Sequence, residues 1–346
     1  MDDRIIDFSC NVNPLGPPPE ILANVDLEKA VSSYPDHTNQ SSIDSISAHF
    51  SLPQECVAVG GGSTEFFFTF PKAFDIGTGI LVTPSFWEYE VSLKHAHQRI
   101  IYFPTYSDDG FHIDFAKLGE LLSSGARRGL HHTVYLCQPN NPTSTLSDPQ
   151  EVLSICEQFP TTRVIVDETY LLFRQDYEQL SLIREASQRA NLIVVTSFSK
   201  FFTVPGLRMG MCCSTRDQID AIRAHQIPYG VNSVAQALIP PLLESHEFIR
   251  ESRKFMANEK TRVYGLAKEN THLRAFAPEA NFMLISSQDA IEIVGYLRQQ
   301  GLMVRDGTEF LGLGIQYLRF SIRNPPENNR LLHAIQEYYN RRRSPS

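Results

Sequence analysis

An α/β fold, a large layered domain followed by a smaller α+β domain, is predicted by three features of this 346-residue chain. Short apolar runs alternate with longer segments of mixed polarity. Polar residues gather directly after those runs, and the pattern changes beyond about residue 226. The runs at 80–82, 100–103, 134–137, 164–166 and 192–195 read as strands. Continuous apolarity is what a strand needs when both of its faces are covered, as in sheets layered between helices.

Ahead of these runs, Asn13-Pro14-Leu15-Gly16-Pro17-Pro18-Pro19 cannot form regular helix or a central strand, because proline fixes φ and lacks an amide donor. Residues 1–35 are therefore expected to form an N-terminal arm associated with the small domain. Residues 36–225 are expected to form the large domain. The small C-terminal domain, 226–346, is predicted to hold a helix over 248–266 and strands at 282–285 and 317–322.

With 42% hydrophobic and 20% charged residues, the composition is that of an ordinary globular protein. A net charge of -8 without a basic stripe argues against nucleic-acid binding. No apolar run approaches the roughly 20 residues that span a bilayer, and the acidic start at 1–4 lacks the pattern of a secretory signal. A cytoplasmic protein without membrane contact is expected. The six cysteines show no C-x-x-C spacing and are expected as reduced thiols.

The polar groups after the strands carry the chemistry. Ser197-Phe198-Ser199-Lys200 ends one run, with Gly206-Leu207-Arg208 just beyond. A lysine at the end of a buried strand is costly unless its charge is paired or removed. A Schiff base with an aldehyde removes it, and Ser197, Ser199 and Arg208 could then hold a phosphate. A surface lysine before a glycine turn is the equal alternative for this segment alone. Asp167-Glu168-Thr169-Tyr170 ends another run, where a carboxylate could keep a pyridine nitrogen protonated. The same pair would equally serve a helix N-cap or a magnesium site. Gly60-Gly61-Gly62-Ser63-Thr64 opens a helical segment and suits phosphate, but lacks the lysine of a P-loop. Pro139-Asn140-Asn141-Pro142-Thr143 is a turn that either aims Asn141 inward or is a plain polar loop.

Taken together, N-N-P-T, D-E-x-Y and S-x-S-K-x₅-G-L-R in this order resemble the aminotransferases of pyridoxal-phosphate (PLP) fold type I, from Asp7 to about Leu332. The resemblance implies a large α/β/α domain around a mostly parallel sheet, with PLP as the cofactor and no metal. It makes Lys200 the cofactor-bearing catalytic lysine. Asp167 becomes the partner of the pyridine nitrogen, Asn141 and Tyr170 contacts of the ring oxygen, and Phe86 the stacking aromatic. Ser63, Thr64, Ser197, Ser199 and Arg208 become the phosphate cup. Tyr34 would reach that cup from a neighbouring subunit, so a homodimer with a shared active site is implied. Arg319 would hold the carboxylate of an amino-acid substrate, with Arg305, Arg323 and Asn13 as further substrate contacts.

Two groups are most similar: threonine-phosphate decarboxylases, which belong to cobalamin side-chain synthesis, and histidinol-phosphate aminotransferases. The opening from Asp7 to Pro18 and the run Arg319-Phe320-Ser321-Ile322-Arg323 resemble the decarboxylases, whereas Tyr170 is usual in the aminotransferases. Decarboxylation of a small, phosphorylated amino acid is the favoured expectation and transamination the close second. A non-catalytic PLP-fold binding protein is the weak third, since Lys200 and Asp167 are both retained.

Overall fold

The computed structural model describes residues 5–343, apart from Glu20, Leu22 and Asn24; the acidic start at 1–4 lies outside the described residues. A short strand β1 (Ile6–Asp7) leads into the proline-rich arm, which forms no helix or strand as far as Pro19. The large sheet has seven strands: β2 (Val57–Gly60), β3 (Thr78–Thr83), β4 (Arg99–Pro104), β5 (His132–Cys137), β6 (Arg163–Asp167), β7 (Leu192–Ser197) and β8 (Gly210–Cys213). Their order is β2-β8-β7-β6-β5-β3-β4. The five strands predicted from sequence are β3 to β7, which pair in parallel. The sequence reading missed β2 and β8, which pair antiparallel at one edge.

Every residue of β5 and β7 is buried, which accounts for their unbroken apolar runs. Successive side chains point to opposite faces. Val134 and Leu136 join one core with Leu118, Leu122 and Val152 from helices Phe115–Ala126 and Pro149–Gln158. Tyr135 and Cys137 join the other with Phe66, Phe70 and Leu93 from helices Ser63–Ala73 and Glu88–His95. Each fully buried Leu, Val or Phe contributes about 1.5–3 kcal/mol relative to exposure, so the two cores hold the strand ends in fixed positions.

A second sheet contains β9 (Arg274–Ala275), β10 (Phe282–Ser286), β12 (Arg305–Asp306) and β13 (Tyr317–Ser321), in the order β12-β13-β10-β9. The remaining strand, β11 (Leu302–Met303), pairs in parallel with β1 and ties the arm to this region. Ser321 N also donates to Phe8 O at 2.8 Å. Helix His246–Glu269 contains the helix predicted at 248–266. Among the described residues, no helix is long and apolar enough to cross a membrane. All six cysteines are free, and only Cys10 is exposed.

Candidate active site

The strand order reverses where β5 returns beside β3, after β4 has taken the outer edge. Open α/β sheets leave a crevice at such a point, beyond the carboxyl ends of their strands. The loops after β3 and β5 are tied together there: Asn140 Nδ2 donates to Pro84 O at 2.8 Å, and Ser85 Oγ donates to Asn140 Oδ1 at 3.2 Å. A cleft of about 250 Å³ opens beside them. It gathers Ser63, Thr64, Phe86, Asn141, Asp167, Tyr170, Ser197, Ser199, Lys200, Arg208, Arg305 and Arg319, all singled out from sequence.

Lys200 sits in the one-turn helix Phe198–Phe201 that continues β7. Its amine makes no ion pair among the described residues. Burial lowers the Lys200 pKa, and the Arg208, Arg319 and Arg305 charges add to that effect while Cys10 opposes it. The neutral amine, which is the nucleophilic form, is thereby favoured.

Asp167 ends β6 and is only 4% exposed. Its Oδ2 accepts from the Tyr89 hydroxyl at 2.8 Å and its Oδ1 from Thr169 N at 2.9 Å. Burial raises the Asp167 pKa, and the bonds from Thr169 and Tyr89 pull it back. A buried carboxylate without a cation is expensive, so the cleft favours a protonated nitrogen opposite Asp167.

Ser63 and Thr64 open helix Ser63–Ala73, whose N-cap, Gly62, makes no side-chain capping bond. The first amides are thus free for an anion. Gly62 has φ +96°, and a Cβ there would lie 2.6 Å from Arg208 Nη2. At Gly210 a Cβ would meet Ser63 N at 2.7 Å. The missing side chains let Arg208 and β8 close around the helix start. Ser197 and Ser199 hydroxyls lie 2.7 Å apart beside it. Arg208 makes only a long bond to Pro205 O among the described residues.

Arg319, in β13, is 4% exposed and has no carboxylate partner among the described residues. It donates to Asn141 Oδ1 at 2.5 Å and to Ser9 O at 2.6 Å, while its Nε is buried and unpartnered. Burial takes its pKa down to about 10. Tyr170 lies against Phe282 at 4.8 Å between ring centres, and its hydroxyl accepts a 3.4 Å bond from Asn11. Burial raises the Tyr170 pKa to about 12, keeping the phenol protonated.

Three expected site residues lie elsewhere. The Asn13 amide is buried and spent on Phe201 O and Ser252 Oγ, at 3.0 and 2.8 Å. It anchors the arm to helix His246–Glu269 and does not line the cleft. Arg323 pairs with Glu327 at 2.8 Å and donates to Asp7 O. β13 ends at Ser321, so Arg323 lies beyond the strand, where Glu327 of helix Pro325–Arg343 and Asp7 O of the arm hold its guanidinium. Tyr34, expected to serve the cup of a neighbouring subunit and not that of its own chain, is 90% exposed and meets Tyr229. The sequence reading also missed cleft residues. Ser9, Cys10, Asn11, Trp87, Cys137, Thr169 and Phe310 line it, and Tyr89 supports it from behind.

The donor set fits PLP. The cleft offers a lysine whose amine burial shifts toward the neutral form for the aldehyde, a buried carboxyl group for the ring nitrogen and a free helix start with an arginine for the phosphate. Buried Thr169 Oγ1 and Asn11 Oδ1 also lack partners there. When bound, PLP supplies an electron sink for breaking a bond at an amino acid's Cα.

The chain is similar to known proteins along most of its length. The family model described as aminotransferase class I and II matches residues 3–335. A threonine-phosphate decarboxylase from Salmonella typhimurium is 27% identical over 338 residues, covering 96% of this chain and 91% of that protein. A histidinol-phosphate aminotransferase from Methanosphaera stadtmanae is 25% identical, covering 97% and 91%. Among solved structures, the histidinol-phosphate aminotransferase from Clostridium acetobutylicum superposes with a TM-score of 0.90 at 24% identity, covering 97% of this chain and all of that one. The chain belongs to the aminotransferase class I and II family and is a PLP-dependent enzyme of that family.

Proposed function

We propose that the enzyme removes the α-carboxyl group from a small, phosphorylated amino acid, with L-threonine O-phosphate as the leading candidate. The observation that carries this reading is the direct opposition of Arg305 and Arg319 across β12 and β13, both lining the cleft that contains Lys200. Two guanidinium groups suit a substrate with two anionic groups, a carboxylate and a phosphate. The threonine-phosphate decarboxylase from Salmonella typhimurium and the adenosylcobalamin biosynthesis bifunctional protein from Leptospira interrogans support the same choice.

In this reading Lys200 would hold the cofactor's aldehyde, give way to the substrate's amino group, and then carry the proton that Cα takes up after the carboxyl group leaves. Arg319 anchors one anionic group, and Arg305 the other. Asp167 keeps the ring nitrogen protonated, Phe86 stacks on the ring, and Asn141 and Tyr170 face its oxygen. Ser63, Thr64, Ser197, Ser199 and Arg208 hold the cofactor phosphate. A second copy of the chain would bring its Tyr34 to that cup, consistent with a ring left 90% exposed in the single chain.

Product analysis tests the reaction. The PLP-loaded enzyme is expected to release carbon dioxide and the phosphorylated amino alcohol from L-threonine O-phosphate, with the cofactor unchanged. Conversion of the cofactor to pyridoxamine phosphate, without carbon dioxide, would assign transamination instead. The histidinol-phosphate aminotransferase relatives favour that second reading.

A further inference from the structure

Arg305 and Arg319 face each other in register on antiparallel strands, an arrangement in which like charges repel. The two are balanced differently. Arg319 donates to neutral oxygens, of Asn141 and Ser9, and lies over the Phe282 and Phe310 rings, with no carboxylate partner among the described residues. Arg305 instead makes a close ion pair with Glu309, four residues on, and its guanidinium lies 5.6 Å from the centre of the Trp87 ring. Glu309 also acts at a distance on Arg319, partly offsetting the effect of Arg305 there. The molecule thus carries, beside its two opposed arginines, one carboxylate of its own.

We propose that Glu309 is a resident counter-ion, occupying Arg305 until a substrate's second anionic group displaces it, and is therefore a specificity-determining residue. This rests on the reading of Arg305 and Arg319 as the substrate anchors. The Arg305 and Glu309 side chains are 32% and 38% exposed, so the pair can open without disturbing the core. A phosphate dianion has more charge and more acceptor oxygens than a carboxylate and can take the guanidinium from it. A ligand with one carboxylate and an apolar remainder settles on Arg319 and leaves the pair closed. Freeing Glu309 is then a cost borne by dianionic ligands alone, which lowers their affinity and speeds their release. The aromatic Trp87 holds the guanidinium in place while its anionic partner changes.

The test uses the PLP-loaded enzyme and two unreactive ligands, 3-phosphonopropionate and butyrate, with binding measured by calorimetry. Neither has an amino group, so binding is read without turnover. Glu309→Gln is expected to bind 3-phosphonopropionate about fivefold more tightly, the scale of one partly exposed ion pair, and butyrate as the wild type does. Glu309→Asp, which keeps the charge, should stay near the wild type. The gain should vanish when Arg305→Gln is added. Unchanged or weaker phosphonate binding in Glu309→Gln would overturn the proposal and make the carboxylate a support that orients Arg305. An equal change for both ligands would overturn it as well. If the phosphonate result holds but no amino-acid phosphate is decarboxylated, the reaction assignment fails and the role of Glu309 stands.

Discussion

The Tyr89 hydroxyl donates a 2.8 Å hydrogen bond to Asp167 Oδ2 across 78 residues of sequence, inside the core beneath the cleft. Burial, followed by the Asp167 charge, raises the Tyr89 pKa, so the phenol stays a donor. The bond stabilises the ionised form of the carboxylate proposed to pair with the cofactor nitrogen. Tyr89→Phe removes it with little change of shape. A bond to a charged group contributes about 1.5–3 kcal/mol, so PLP should bind about tenfold more weakly. Titration of the apoenzyme, followed by cofactor absorbance, checks this.

Asp167 also links function to stability. Its pKa is raised from 3.8 by burial, so the folded protein without cofactor holds more protons there than the unfolded chain. Stability therefore declines as pH rises above 3.8 and the buried group ionises. Asp167→Asn should remove that decline and raise the apoenzyme's melting temperature at pH 7, while largely abolishing activity. Thermal melts of both proteins at pH 4 and pH 7 measure the difference.

The proposed phosphate cup depends on the absence of a side chain at Gly62. Gly62→Ala would set a Cβ 2.6 Å from Arg208 Nη2 at a φ of +96°. Arg208 must then move away from the helix start. Affinity for PLP is expected to fall at least about tenfold, as when a charged bidentate contact is lost. Pyridoxal, which has no phosphate, should bind with little change. Competition between the two forms reads this directly.

Arg319 is a buried guanidinium whose Nε lacks a partner. Arg319→Lys keeps the charge but loses the planar fork. The expected effect is a rise in KM of about tenfold to 100-fold, on the scale of roughly 1.5–3 kcal/mol for a charged hydrogen bond. Cofactor absorbance should be retained. Steady-state kinetics with a matched absorbance spectrum separate the two effects.

The sequence made most of the site legible because its groups sit at strand ends, and those strands announce themselves. Runs such as 134–137 and 192–195 are apolar throughout because every residue of β5 and β7 is buried. Asn141, Asp167 and Lys200 follow such runs and meet in one cleft for that reason. The edge strands were harder. Gly60 and Gly210 give β2 and β8 a glycine each, and the close contact of Gly210 with Ser63 N has no local signal. Tyr89 was missed because an amphipathic helix explains it fully until Asp167 is seen beside it. Asn13 and Arg323 sit in motif-like surroundings, yet their partners Ser252 and Glu327 claim them. Side-chain partners chosen by tertiary packing leave no periodic trace in the chain.

The central claim is that Lys200 holds the cofactor covalently. Borohydride reduction of the PLP-loaded enzyme, followed by peptide mass spectrometry, tests it most directly. A single phosphopyridoxyl group on Lys200, absent from Lys200→Ala, is the predicted result. The same group on another lysine, or on none, would contradict the account.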